Sequence, residues 1–209
     1  MRFLGLHDIL FSSMGVPREE KTFLMVKPDG VKRGLVGEII HRLEQRNLKI
    51  IALQMVRPTR EKFDGFYPKK DEWVRRLGEK TLSTYRKYGY DPVGELGTDK
   101  PEEIGPMVRG WVLDFMVSGP VVKMIVQGVH AIDMVRKVIG DTMPSKAEMG
   151  TIRGDFSVDS AASANRDKRA VHNLVHASEN TEEAIHEISY WFVPLEIHEY
   201  RRTDEELTL

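Results

Sequence analysis

Cysteine is absent from all 209 residues of the sequence. Its absence excludes disulfides, thiolate nucleophiles and zinc sites built from cysteine, and it suits a reducing compartment, so we expect a cytoplasmic protein. Long hydrophobic runs are also missing, since none reaches the roughly 18 to 20 residues that a membrane helix requires. We therefore expect no association with a membrane.

The apolar patch within residues 1–13 is interrupted by His7 and Asp8. One basic residue precedes the patch and no small-residue cleavage pattern follows it, which argues against a signal peptide. A true start at Met14 explains the segment equally well. We interpret residues 1–20 as an N-terminal extension and residues 201–209 as a C-terminal tail.

An excess of charge of one sign is missing too, because 31 Lys and Arg face 32 Asp and Glu and leave a net charge of -1. Proteins that bind nucleic acid usually carry a global basic excess, so we do not expect a nucleic-acid partner. The hydrophobic share of 41% is enough for one domain with a sizeable core, which we place at residues 21–200.

The first part of that domain predicts a strand, a helix and a second strand, in that order. The run TFLMV at residues 22–26 is short, apolar and rich in strand formers, and residues 28–30 (PDG) predict a tight turn after it. Apolar residues at helical spacing after Gly34 predict a helix that ends near Asn47. Residues 48–56 then predict a second strand.

The same order returns later in the chain. Residues 121–126 (VVKMIV) predict a strand, and apolar residues from Ile132 to Ile139 predict a helix that Gly140 closes. Residues 141–155 are rich in Gly, Pro, Thr and Ser and predict a long loop, after which residues 173–175 predict a short strand.

The last predicted helix begins near Asn180, whose side chain can cap it. Glu183 can supply the reciprocal hydrogen bond of a capping box. At 100° per residue, Glu187 falls on the margin of the apolar stripe, whereas Glu182 and His186 point away from it. We therefore expect Glu187 to be half buried. The stripe itself consists of Ala184, Ile188 and Trp191.

Two stretches depart from this pattern, and we interpret both as insertions. In residues 68–107 a basic segment predicts a helix with one apolar face, made of Trp73, Leu77, Tyr85 and Tyr88. We interpret its basic side as a solvated surface, with contact to RNA or an acidic partner as the alternative. Residues 157–172 are small and polar and predict a loop.

Common phosphate-binding and metal motifs are missing, because GxxxxGK[ST], GxGxxG and HExxH do not occur. His172 and His176 lie four residues apart and would suit zinc on a helix, but Leu174 and Val175 between them favour a strand. A metal-dependent hydrolase remains one alternative. The cationic and polar candidates for a phosphate site are dispersed: Lys27, Arg136, Thr142, Arg153 and His176.

Five blocks of this sequence occur in the order typical of one known family. They are TFLMVKPDGVKRGLVGEII, the YP at Tyr67, SGPVV at residues 118–122, TIRGDF at residues 151–156, and NLVHASEN followed by Glu187 and Ile188. Together they resemble the nucleoside diphosphate kinases over residues 21–192, broken by the two stretches above. Five agreeing blocks are far more specific than a single short motif.

The resemblance implies an α+β domain of ferredoxin-like βαββαβ type, with a four-stranded antiparallel sheet and helices on one face. It implies transfer of the terminal phosphate of a nucleoside triphosphate to a nucleoside diphosphate through a phosphohistidine. His176 matches the family's nucleophile and Glu187 the carboxylate that orients it, with Ser178 in support. The residues that match nucleotide and phosphate ligands are Lys27, Tyr67, Arg136, Thr142, Arg153 and Asn173. Mg²⁺ is expected with the nucleotide, and a homo-oligomer, often a hexamer or a tetramer built from dimers, is expected too.

Two departures from the family pattern affect the site. Ala177 stands where the family usually has Gly, and a positive φ there would strain the loop. Val108 stands where the family has a base-stacking Phe, and Trp111 nearby either replaces that ring or packs in the core. The alternative function is therefore a nucleotide-binding scaffold of the same fold with reduced or lost activity.

Overall fold

The computed structural model describes residues 20–203, so the expectations for residues 1–19 and 204–209 lie outside the described residues. Its four strands form an antiparallel sheet in the order β2-β3-β1-β4, which confirms the ferredoxin-like α+β fold. The strands are β1 (Glu20–Val26), β2 (Lys49–Val56), β3 (Val121–Gly128) and β4 (Val175–Ala177).

Ten α-helices connect and cover the strands within the described residues. They are α1 (Pro28–Lys32), α2 (Val36–Gln45), α3 (Arg60–Phe66), α4 (Asp71–Tyr88), α5 (Pro92–Leu96), α6 (Pro101–Met116), α7 (Ala131–Ile139), α8 (Ile152–Phe156), α9 (Ala161–Arg166) and α10 (Thr181–Trp191). Between residues 20 and 203, none of them combines the length and apolar character needed to span a bilayer.

Helices cover both faces of the sheet, so the expectation of helices on one face is wrong. Leu24 and Val26 of β1 pack with α2 and α7 on one face. Phe23 and Met25 pack with α3, α6 and α10 on the other. The reason is visible in β1 itself, where four consecutive apolar residues are fully buried, as in strands covered on both sides.

Outside the two insertions, three local predictions differ from the structure. The expected turn after β1 is the short helix α1, which Pro28 begins at its first position, where a missing amide is no loss. The expected loop over residues 141–155 contains α8. β4 begins two residues later than expected because Leu174 has a φ of 67°, which a strand does not accommodate.

Helices α4, α5 and α6 form a helical unit, a name we use for residues 71–116. Its core contains Leu82, Tyr85, Leu96 and Ile104. Tyr85 faces inward as expected, but Tyr88 is exposed at the last residue of α4, before Gly89 ends the helix. Residues 157–172, expected to be a loop, contain α9, which Ser160 caps by accepting a hydrogen bond from the amide of Ser163.

Candidate active site

His176 is the central residue of β4, where it pairs with Met25 of β1. Its Nε2 atom lies 2.7 Å from Oε1 of Glu187, and Oε2 of Glu187 accepts a 2.7 Å hydrogen bond from the Ser178 hydroxyl. Glu187 is 6% exposed and Ser178 is fully buried, whereas the His176 side chain is 23% exposed. A buried carboxylate therefore holds one ring nitrogen of a partly exposed imidazole.

The start of α10 determines where Glu187 lies. The Asn180 side chain accepts a 2.9 Å hydrogen bond from the amide of Glu183, as the capping pattern predicts. The Glu183 carboxylate accepts from the amide of Glu179 rather than from that of Asn180, so the return half of the capping box is displaced by one residue. Glu187 follows Glu183 by about one turn and faces the core, where it is more deeply buried than the half burial that we predicted.

Aromatic rings pack around the imidazole. The Phe66 ring meets that of His176 edge-on, with centroids 5.5 Å apart. Tyr67 follows α3 directly and stacks on Trp73 of the helical unit, at 6.5 Å and 23°. Burial, and after it the charge of Glu187, raises the pKa of Tyr67, so its hydroxyl keeps its proton and remains a donor.

Lys27 and Asn173 meet at the end of β1. The Lys27 ammonium donates a 2.7 Å hydrogen bond to Oδ1 of Asn173, and Nδ2 of Asn173 donates to the carbonyl of Thr142 at 2.9 Å. Burial lowers the pKa of Lys27 to about 8, with a further contribution from the charge of Arg153, while Asp29 opposes the shift. This lysine carries a charge that its surroundings only partly compensate.

Arg153 of α8 is 4% exposed and donates to three backbone carbonyls, those of Gly140, Asn173 and Val175, at 2.7 to 3.0 Å. Burial lowers its pKa to about 10, and the nearby Asp141 opposes that effect. A guanidinium has five N–H groups. Two of them therefore remain for a ligand after these three bonds are made.

Arg136, near the end of α7, completes the group of cations. Its Nη2 atom lies 3.9 Å from Oε1 of Glu179. After burial, the charge of Arg136 also lowers the pKa of Arg153, as the charge of Arg153 does for Lys27. The three cations thus lie in one neighbourhood beside β4, and an oriented imidazole next to them suits phosphoryl transfer.

Comparison with known proteins matches this site to one family. The family model described as "Nucleoside diphosphate kinase" matches residues 20–75 and 110–197. The chain belongs to the nucleoside diphosphate kinase family. The match leaves out residues 76–109, which contain most of α4, all of α5 and the first half of α6.

Relatives of this kinase are similar over most of its length. The nucleoside diphosphate kinase of Pyrobaculum aerophilum is 48% identical over 180 residues, 86% of this chain and 98% of that protein. That of Archaeoglobus fulgidus is 37% identical over 188 residues, 90% of this chain and 95% of that protein.

Two solved structures resemble the kinase in fold. The crystal structure of an NDP kinase from Pyrobaculum aerophilum has a TM-score of 0.83 at 46% identity, covering 88% of this chain and 100% of its own. A transition-state mimic of the Borrelia burgdorferi nucleoside diphosphate kinase, with vanadate and ADP bound, has a TM-score of 0.67 at 33% identity, covering 89% and 94%.

Ala177 does not strain the site of the kinase. It is the last residue of β4, pairs with Leu24 of β1 and has the extended backbone of a strand. The positive φ in this region is at Leu174 instead. The departure from the family's usual glycine therefore leaves the position of His176 unaffected.

Neither Val108 nor Trp111 lies with the residues gathered around His176. Both pack against the core of the helical unit, which favours the core-packing interpretation of Trp111. The Phe115 ring, from the last turn of α6, lies beside His172 instead, with ring centroids 4.9 Å apart. No local sequence pattern connects these two residues, so sequence analysis missed the pair.

Two other histidines lie apart from the site chemistry. His172 is exposed and its ring packs on Phe115, and His186 faces solvent on α10 as predicted. Within residues 20–203, no group of three or more His, Cys, Asp or Glu side chains could hold a metal ion. His172 and His176 therefore have no third ligand there for a zinc site.

Asp29 is another site residue that was not predicted from the sequence. Its Oδ2 atom accepts a 3.0 Å hydrogen bond from the amide of Leu174, which fixes the segment that leads into β4. Asp29 lies in the first turn of α1, a position that favours acidic residues, and this is the signal that could have identified it.

Proposed function

We propose that this enzyme transfers the terminal phosphate of a nucleoside triphosphate to a nucleoside diphosphate through a phosphohistidine at His176. Family membership supplies the reaction and its nucleotide substrates. The observation that carries the assignment to His176 is its 2.7 Å contact with Glu187, since no other histidine side chain between residues 20 and 203 contacts a buried carboxylate.

The contact with Glu187 determines which ring nitrogen reacts. An acceptor at Nε2 favours the tautomer with its proton on Nε2, which leaves the lone pair on Nδ1. Nδ1 of His176 attacks the terminal phosphorus while the bond from that phosphorus to the bridging oxygen breaks, and its electron pair leaves with the diphosphate. Glu187 stabilises the positive charge that develops on the ring.

The second half of the reaction is the reverse of the first. A terminal oxygen of the acceptor diphosphate attacks the phosphorus on His176, and the electrons of the N–P bond return to Nδ1. The imidazole is neutral again and ready for another donor. Because both halves use the same groups, one site serves donor and acceptor in a ping-pong sequence.

The cations beside β4 bind the phosphate chain in this proposal. Lys27, Arg136 and the two unused N–H groups of Arg153 offset negative charge, and the hydroxyls of Thr142 and Tyr67 donate hydrogen bonds. Phosphoryl transfer depends mainly on such positioning and charge stabilisation. The side chain of Asn173 forms a hydrogen bond with a sugar hydroxyl, next to Lys27, which it already contacts.

Mg²⁺ enters with the nucleotide in this proposal, and the side chains fit that arrangement. The side chains proposed as nucleotide ligands are cations, hydroxyls and one amide, so they suit phosphate oxygens rather than a bare divalent cation. Mg²⁺ typically keeps several waters and binds substrate phosphates. When bound, it would offset phosphate charge together with Lys27 and Arg153.

The enzyme forms a homo-oligomer in this proposal, because the edge strand β2 carries exposed apolar side chains. Met55 is 61% exposed and Leu53 is exposed beside it, an arrangement typical of surfaces that pack on another subunit. Light scattering of the wild-type protein and of Met55→Glu tests this: a wild-type particle of monomer mass contradicts the oligomer, and a variant with the wild-type oligomer mass contradicts the role of this edge. We also place the enzyme in the cytoplasm, which the absence of cysteine favours.

Labelling with γ-³²P ATP and Mg²⁺ tests the proposed function. We expect the isolated protein to carry acid-labile, base-stable label that passes to an unlabelled diphosphate. His176→Ala should take up none, whereas His186→Ala, which changes an exposed histidine on α10, should label normally. An unlabelled wild-type protein contradicts the kinase assignment, and persistent label in His176→Ala contradicts the choice of residue.

A further inference from the structure

Asp159 is a nearly buried carboxylate that the proposed chemistry does not use. Its side chain is 12% exposed. Oδ2 accepts hydrogen bonds from the amide of His172 at 2.7 Å and from Nη1 of Arg169 at 2.6 Å. Oδ1 accepts from Nη2 of Arg169 at 3.1 Å and from the amide of Ser160 at 2.9 Å. Four donors thus converge on one carboxylate.

The ionised form of Asp159 is the one that these contacts select. Burial would raise the pKa of Asp159, but the hydrogen bonds from Arg169 and from the two backbone amides outweigh it and lower the pKa. The paired guanidinium and carboxylate form a bidentate arrangement, which is geometrically specific as well as strong. Asp159 is therefore ionised near neutral pH and can hold these donors in place.

The backbone amide and carbonyl of His172 are both hydrogen-bonded to side chains of residues 157–159. The amide donates to the Asp159 carboxylate, and the carbonyl accepts a 2.8 Å hydrogen bond from the Ser157 hydroxyl. The Asp159 carbonyl itself accepts from the amide of Ser145, which ties this segment to the loop after α7. The residue that immediately follows His172 is Asn173.

The other side of Asn173 is held by a different set of contacts. The amide of Leu174 donates to Asp29, and the carbonyl of Leu174 accepts from the amide of Lys27 at 2.8 Å. Leu174 has a φ of 67°, a left-handed conformation that costs energy for any residue with a side chain. The conformation of Leu174 is therefore not favoured locally, and contacts on both sides of Asn173 hold the backbone that carries its side chain.

We propose that Asp159, with Arg169, is a positioning residue for the nucleotide sugar. It fixes the backbone of His172 so that the Asn173 side chain is presented beside Lys27, where a sugar hydroxyl would bind. This inference rests on the proposed function. It makes Asp159 a determinant of selectivity for the sugar rather than a group that touches phosphate.

The test compares the binding of ADP with that of 2′,3′-dideoxy-ADP, which lacks the sugar hydroxyls. The ratio of the two dissociation constants, measured by calorimetry, reports the sugar contact, while general damage to the site weakens both ligands alike. In the wild type we expect the constant for the dideoxy analogue to exceed that for ADP by about twofold to tenfold, the size of one hydrogen bond between neutral groups. In Asp159→Ala we expect the ratio to fall to about one. Asp159→Asn, which keeps one acceptor for the His172 amide, should lie between.

Asp167→Ala is the matched control. Asp167 also contacts Arg169, from an exposed position at 3.1 Å, and its carboxylate makes no hydrogen bond to His172 among the described contacts. It should keep the wild-type ratio. A folded Asp159→Ala with the wild-type ratio overturns the inference, as does an Asp167→Ala that loses the ratio equally. If Asp159→Ala does not fold, Asp159→Asn is judged by the same criterion.

The outcomes separate this inference from the proposed function. A wild-type protein that transfers no phosphate contradicts the proposed function itself. A wild-type protein that transfers phosphate but binds ADP and its dideoxy analogue equally overturns only the sugar contact, and with it the role of Asp159.

Discussion

Glu187 and His176 are joined side chain to side chain at 2.7 Å, although one lies on α10 and the other on β4. The carboxylate is also held by Ser178, so its position is set from two sides. The orientation of the imidazole therefore depends on how α10 packs against the sheet. Substitution of the carboxylate should change the reaction rate more than the fold.

Glu187→Gln tests this dependence. The amide keeps the size of the side chain but loses the charge that stabilises the ring in the transition state. We expect kcat/KM to fall about 10-fold to 150-fold, the equivalent of about 1.5 to 3 kcal/mol. Glu182→Gln, on the exposed side of the same helix, should behave as wild type. Wild-type kinetics in Glu187→Gln would contradict the role given to this carboxylate.

Lys27 should make nucleotide affinity depend on pH. Because its pKa is lowered to about 8, the free protein loses this charge as the pH rises through that value. Phosphate binds the protonated form, so the dissociation constant for ADP should rise above about pH 8, approaching tenfold per pH unit if the deprotonated form does not bind. Calorimetry between pH 7 and 9.5 measures the slope.

Lys27→Arg is the matched variant for that slope. An arginine keeps its charge over this pH range, so the affinity of the variant should change little between pH 7 and 9.5, whatever its absolute value. Identical slopes in the two proteins would show that another group controls the pH dependence.

Close contact between α4 and α6 predicts a specific glycine requirement. A Cβ at Gly105 would lie 2.2 Å from the carbonyl oxygen of Val74, which is backbone and cannot move aside easily. We expect Gly105→Ala to lower the free energy of unfolding by about 1 to 3 kcal/mol through overpacking. Gly110→Ala, in the same helix with nothing within 4 Å, should be neutral or stabilising. Equal melting temperatures for the two variants would contradict the close approach.

Asp64 links α3 to the helical unit and should contribute to acid stability. Lys69 and Arg109 donate to its carboxylate and lower its pKa to about 2. A carboxyl whose pKa is lower in the folded state stabilises the protein above its unfolded pKa of about 3.9, and this contribution is lost as the pH falls toward 2.

Asp64→Asn should therefore reduce stability at pH 7 and flatten the acid limb of the stability profile, measured by urea unfolding from pH 2 to 7. Asp114→Asn, which removes a more exposed partner of Arg60, is the control and should keep the wild-type profile. An acid limb in Asp64→Asn that matches the wild type would contradict the contribution of Asp64 to stability.

Residues within one helix or strand were predictable from sequence because their relationships are local. The burial of Glu187 followed from its place on the apolar margin of α10, and the cap at Asn180 from its spacing to Glu183. The strands β1, β2 and β3 followed from their apolar runs. The ferredoxin-like fold and its four-stranded antiparallel sheet were predicted from family resemblance.

The contacts that assemble the site were not predictable from local patterns. Lys27 and Asn173 meet although 146 positions separate them. Spacing alone left the cationic candidates for a phosphate site dispersed along the sequence. The late start of β4 depends on the backbone of Leu174, whose left-handed conformation is imposed by contacts with distant residues. Such features are properties of packing rather than of sequence periodicity.

The measurement that tests the central claim most directly is the position of the phosphate on the protein after reaction with ATP. Mass spectrometry of the peptide containing His176, with ³¹P NMR of the intact protein, identifies both the residue and the ring nitrogen. Because Glu187 holds Nε2, the account predicts phosphate on Nδ1 of His176 that disappears when a nucleoside diphosphate is added. Phosphate on Nε2, on another residue, or absent altogether would contradict it.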